Sequence, residues 1–110
     1  MDPVQEQLEA YNAGDVERFV AAYAPDVVME DGAGNVVMQG HEAMRATYGT
    51  LFARNPNLHC RIANRIRIGE YVIDEEILTG LSHPQAPPEQ CSVAIYRVVD
   101  DKIVHCRFLR

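Results

Sequence analysis

The chain has 110 residues, 47% of them hydrophobic, and carries a net charge of −6. That length fits one domain with one core and one site. The acidic balance excludes a general binder of phosphate backbones, whose affinity comes from basic side chains, and no apolar run approaches the roughly 18 residues of a membrane span.

Met1-Asp2-Pro3-Val4 has neither a basic nor an apolar leader, so a cytoplasmic chain is expected. Cys60, Cys91 and Cys106 are odd in number and widely spaced, which reads as buried free thiols. His41, His59, His83 and His105 lack the spacing of a metal set, so no metal and no cofactor is expected.

Val4, Leu8 and Tyr11 recur at helical spacing, and Gly14 can end that helix in a left-handed conformation before Asp15 caps the next. The second helix carries Val16, Phe19, Val20 and Tyr23 on one face and is stopped by Pro25. A short strand, Asp26 to Met29, then meets the acidic pair Glu30-Asp31 and the glycine turn Gly32-Ala33-Gly34. A carboxylate set there against apolar surface is a candidate proton-transfer base, because desolvation moves its pKa toward neutrality. Asn35 to Gln39 returns as a second short strand. A third helix spans His41 to Arg54, with Met44, Tyr48, Leu51 and Phe52 facing inward, and Asn55-Pro56 ends it.

Residues 58–68 alternate between Leu58, Cys60, Ile62, Asn64, Ile66 and Ile68 on one face and His59, Arg61, Ala63, Arg65 and Arg67 on the other. With Gly69-Glu70 as a two-residue hairpin loop, Ile68 faces Tyr71, Ile66 faces Ile73, Arg65 faces Asp74, Asn64 faces Glu75 and Ile62 faces Ile77. The apolar residues then form one inner wall, in which Asn64 and Glu75 are an isolated polar pair and a candidate ligand contact. Arg61, Arg65 and Arg67, with Arg54 nearby, form a basic stripe that Asp74 and Glu76 of the partner strand can neutralise. Pro84, Pro87 and Pro88 make 83–89 a loop. Residues 91–99 and 103–110 form a last hairpin around Asp100-Asp101. A two-residue loop groups Val93, Ile95, Cys106 and Phe108, whereas a three-residue loop aligns Ala94 and Tyr96 with Val104 and Cys106; patterning leaves both open.

The order helix, helix, strand pair, helix, four longer strands describes an α+β domain, a curved antiparallel sheet with three helices on its concave face. This arrangement resembles the nuclear transport factor 2-like superfamily of cystatin-like cones, in its SnoaL-like and ketosteroid isomerase-like branch. The residues that carry the resemblance are Tyr11-Asn12-Ala13-Gly14-Asp15, Phe19, Tyr23-Ala24-Pro25-Asp26-Val27, Met29-Glu30-Asp31-Gly32, Gly40 to Arg45 and Ile95-Tyr96-Arg97-Val98. It implies a single domain over 1–110, a small-molecule pocket and a homodimer through the outer sheet face. An outer face bearing Ala94 or Ile95, Val98 and Leu109 would suit that contact.

The resemblance also implies site roles. The family's base aspartate matches Asp31. Its oxyanion tyrosine falls at Gln7, with Tyr11 one helical turn later able to substitute, and its second donor falls at Ala94, which has no proton to give. Phe19, Tyr23, Met29, Met44, Tyr48 and Phe52 read either as the lining for a small apolar ligand or as plain core. Two functions follow: isomerase-like or lyase-like proton transfer with Asp31 as base and Tyr11 as donor, or a non-catalytic ligand-binding or dimerisation module. A polyketide-type cyclase shares the same fold.

Overall fold

A computed structural model describes residues 2–110. The elements run α1 (Pro3–Ala13), α2 (Val16–Ala21), β1 (Tyr23–Asp31), β2 (Val36–Gln39), α3 (Gly40–Arg54), β3 (His59–Ile68), β4 (Tyr71–Thr79), β5 (Gln90–Val99) and β6 (Lys102–Leu109). The sheet order is β2-β1-β6-β5-β4-β3. Its junctions are antiparallel except that β1 lies parallel to β6, so the sheet is mixed where a wholly antiparallel one was expected. The long return through α3 and four strands supplies the crossover a parallel pair needs.

The helices start and stop where local chemistry requires. Asp2 accepts hydrogen bonds from the backbone N–H groups of Val4 and Gln5, capping α1, and Gly14 closes it at φ 66°. Asp15 caps α2 through Arg18 N–H. That helix stops at Ala21, earlier than the pattern suggested, because Tyr23 and Ala24 are already extended ahead of Pro25 and Tyr23 pairs with Ile103. Val4, Ala10, Phe19, Val20 and Met44 bring all three helices onto Val72, Ala94, Tyr96 and Cys106 of the sheet's concave face.

Two extra residues decide which side chains reach that face. The β3–β4 hairpin has the expected register from Ile68↔Tyr71 to Asn64↔Glu75, but then slips, so that Ile62 pairs with Glu76 and Cys60 with Leu78. Ala63 is the unpaired residue of a bulge, and it reverses the strand's facing. Cys60 therefore points inward with Glu76 and Leu78, while Ile66, Ile68 and Tyr71 stay on the convex face, 53%, 67% and 44% exposed. The supposed inner wall is thus an outer one over half its length. The bulge also splits the arginine stripe, placing Arg65 inward and Arg61 outward. In the last hairpin Asp100 and Asp101 form a two-residue loop at φ 51° and 60°. A second bulge, at Val104, sets Tyr96 opposite Cys106 and Ala94 opposite Phe108. Loop length and facing come from one hairpin that neither simple register describes.

Beneath α1, Arg65 grips the fully buried Asp74 with two bonds of 2.6 and 3.0 Å and reaches Gln5 at 2.8 Å. This forked, charge-assisted contact ties the sheet to the first turn of α1. At the far end of β4, Gly80 adopts φ 81°, and a Cβ there would stand 1.9 Å from the Asn57 carbonyl oxygen. Gly80→Ala is accordingly expected to cost more than about 1 kcal/mol, since it combines a left-handed backbone with a backbone clash. A urea titration showing an unchanged midpoint would contradict that close approach.

Candidate functional site

Between the helices and the concave face lies a cavity of about 250 Å³. Its apolar wall is Leu8, Phe19, Leu51, Leu78, Leu81 and Phe108, and its polar groups come from Gln7, Tyr11, Tyr23, Cys60, Glu76, Ser92 and Tyr96 among others. Tyr11, Phe19, Tyr48 and Phe52 form one cluster of tilted and edge-on rings with centroids 4.6 to 6.4 Å apart. That cluster makes the helical wall rigid.

The acid in this cavity is Glu76, which is 8% exposed. One carboxylate oxygen accepts from Ser92 Oγ at 3.2 Å and the other from the Tyr96 hydroxyl at 3.4 Å. Among the described residues no cation bonds it. Burial pushes its pKa up, and the neighbouring charge of Asp74 adds to that, against the lowering effects of the two hydroxyl donors and of the Arg110 charge. Burial likewise raises the Cys60 thiol to about 12, with Glu76 reinforcing it, so this cysteine is no thiolate nucleophile. Tyr23 donates to Gln7 Oε1 at 3.2 Å while Gln7 Nε2 donates to the Val4 carbonyl at 3.0 Å, which fixes the amide across the cavity end. Tyr11 also lines the cavity, and no hydrogen bond within the described residues holds its hydroxyl. Burial keeps that phenol protonated and able only to donate a proton or accept a bond.

Asp31 is not in this cavity. Its Oδ1 accepts from Ala33 N–H at 3.0 Å and Asn35 N–H at 2.9 Å, and Oδ2 from Asn35 Nδ2 at 3.2 Å, so the carboxylate builds the turn between β1 and β2. Those bonds, Asn35 foremost, lower its pKa in an open position. The role of desolvated base is corrected accordingly: three donors hold this acid ionised. Its neighbour Glu30 pairs on the surface with His105 and Arg107.

Other expectations divide. Phe19, Tyr23 and Tyr48 line the cavity with Tyr11. Met29 is core that borders an adjoining cleft, while Met44 and Ala94 are fully buried packing and Phe52 supports the ring cluster from outside the cavity. Asn64 and Glu75 lie opposite each other on the convex face and are exposed, because the Ala63 bulge turns that part of β3 outward. Cys60 and Cys106 are buried as expected, whereas Cys91 is exposed. Glu76, Ser92 and Tyr96 are the residues that pattern reading missed. Their shared parity on β4 and β5 was the available signal, since Glu76↔Ser92 follows once Asp74 is matched to Ala94.

Residues 4–106 match the family model described as SnoaL-like domain. The chain belongs to the SnoaL-like domain family. This SnoaL-like domain is also similar to an uncharacterized cystatin fold protein from Novosphingobium aromaticivorans, at 30% identity and a TM-score of 0.88 over 100% of this chain and 99% of that one. A ketosteroid isomerase-like fold protein from Catenulispora acidiphila, in complex with trimethylamine, shares 19% identity at a TM-score of 0.80, covering 96% and 82% of the two chains. An M. tuberculosis LEH-like epoxide hydrolase likewise shares 19% at 0.80, over 97% and 78%. At that identity these two report on fold alone. No curated protein matches the SnoaL-like domain in sequence. No helix among its described residues is long and apolar enough to cross a membrane.

Proposed function

We propose that this SnoaL-like domain binds a small, largely apolar carbonyl compound and moves a proton on it, with Glu76 as the base and Tyr11 as hydrogen-bond donor to the carbonyl oxygen. The observation that carries this reading is a buried carboxylate held by two neutral hydroxyls, with no ion pair among the described residues, in the wall of a cavity that Arg110 also lines. A base works best when its pKa lies near the working pH, and burial moves Glu76 in that direction. The carboxylate takes the proton from the carbon beside the carbonyl, the electron pair passes to the oxygen facing Tyr11, and the acid formed returns the proton to carbon. No bond other than C–H need break. Isomerisation and lyase-type elimination both begin with this step. The test is deuterium exchange at the α-carbon of acetophenone and cyclohexanone in heavy water, followed by NMR. Exchange above the buffer rate is expected, and a domain that adds nothing to it leaves the reading of a non-catalytic binding module.

A second copy of the chain is the proposed partner for the convex face. Ile66, Ile68 and Tyr71 project there with Ile73 and Ile95, an apolar patch that a twofold contact would cover. Ala94 and Val98 take no part, since both pack on the concave side. Light scattering at micromolar concentration is expected to give the mass of two chains, and Ile66→Asp with Ile95→Asp that of one. A wild-type mass of one chain would remove the dimer.

A further inference from the structure

The cavity does not end at its apolar wall. A wider cleft of about 670 Å³ shares Tyr48, Leu51, Leu81, Phe108 and Arg110 with it, so the two form one channel from Glu76 outward. Arg54, from the last turn of α3, lines the outer part, and Arg110 stands where the cleft and the inner cavity meet.

These two arginines differ from most of the others. Arg18, Arg45, Arg65, Arg67, Arg97 and Arg107 each bond a carboxylate. Among the described residues, Arg54, Arg61 and Arg110 have no carboxylate partner, and two of those three border the same cleft. Arg110 is held over the Phe108 ring, 5.2 Å from its centroid, which places its guanidinium at the channel edge. In a chain with sixteen acidic residues and a net charge of −6, two uncommitted guanidinium groups at one mouth are a local reversal of sign. Guanidinium is the group best shaped to take a carboxylate in a forked contact.

We infer that the channel takes an amphiphilic carboxylate, its apolar body inside and its anionic head between Arg54 and Arg110. The inference rests on the proposed pocket and adds to it the charge and orientation of the ligand. A reactive carbon then reaches Glu76 from the end away from the acid head.

Sodium decanoate, decanol and decyltrimethylammonium are the probes, titrated by calorimetry into the wild-type domain and into Arg54→Gln/Arg110→Gln. Exposed charge pairs contribute modestly, so the two together are expected to favour decanoate over decanol by roughly tenfold, a preference that added salt weakens. The double variant is expected to bind decanol as before and to lose the preference. Both positions are exposed, and circular dichroism checks that the fold is kept. Equal binding of decanoate and decanol, or a preference that survives in the double variant, overturns the anionic head while leaving the pocket. Failure of all three probes to bind overturns the pocket as well.

Discussion

Glu76→Gln is expected to lower α-proton exchange by about a hundredfold or more, the usual contribution of a positioned general base, while making the domain more stable at neutral pH. Gln keeps the shape and the bond from Ser92 but cannot take a proton from carbon. The gain in stability follows from linkage. Glu76 holds its proton more tightly in the folded domain than in the unfolded chain, where its ordinary value is 4.5. The stabilisation it contributes is complete below that value and is lost as pH rises through the raised folded pKa. Gln has nothing to lose over that range. Urea midpoints of the two proteins should therefore converge toward pH 4.5 and separate above it, with the variant the more stable. A variant that exchanges as fast as wild type would show that the base is elsewhere. A variant less stable at every pH would show that the carboxylate is well solvated.

Asp74→Ala is expected to cost about 3–5 kcal/mol, because it leaves the Arg65 guanidinium under α1 without its counter-charge. Against a total stability of about 5–15 kcal/mol for a domain, that is a large share. Arg65→Met combined with Asp74→Leu should recover most of it, since replacing both members of a buried pair by apolar side chains is often neutral or favourable. Equilibrium unfolding in urea measures both. A loss under about 1 kcal/mol for the single variant would mean the pair behaves as an exposed one.

The helices and loops were legible because their signals are local. Gly14-Asp15, Gly69-Glu70 and Asp100-Asp101 each act through the φ and ψ of one or two residues, and each punctuates the chain at an expected place, whereas Pro25 lies inside β1 and the second helix ends before it. The curved α+β layout and the aromatic lining from Tyr11, Phe19 and Tyr48 followed from helical periodicity, while Tyr23 reaches the cavity from β1 and not from the helix expected to carry it. What failed was the facing of strands. Alternation tells which residues share a side, but it does not tell which side is inner, and a bulge changes the answer partway along. Ile66 and Ile73 read as core because they are apolar, yet they lie on the convex surface. Asp74 and Glu76 read alike as partners of the arginine stripe; Asp74 does pair with Arg65, but Glu76 lies buried against two hydroxyls instead. Asp31 misled for a related reason: a carboxylate beside glycines serves a turn as readily as a pocket, and its commitment to Asn35 depends on loop geometry four residues ahead.

Ala63 has a consequence for how such domains diverge. One residue of chain length in β3 switches which alternate side chains of the strand face inward and which face outward. Loss or gain of a codon at that point would exchange the two populations of side chains without replacing any of them. The lining of the cavity and the proposed dimer face are thereby tied to the same hinge of descent, and a lineage that alters one by a length change alters the other in the same step.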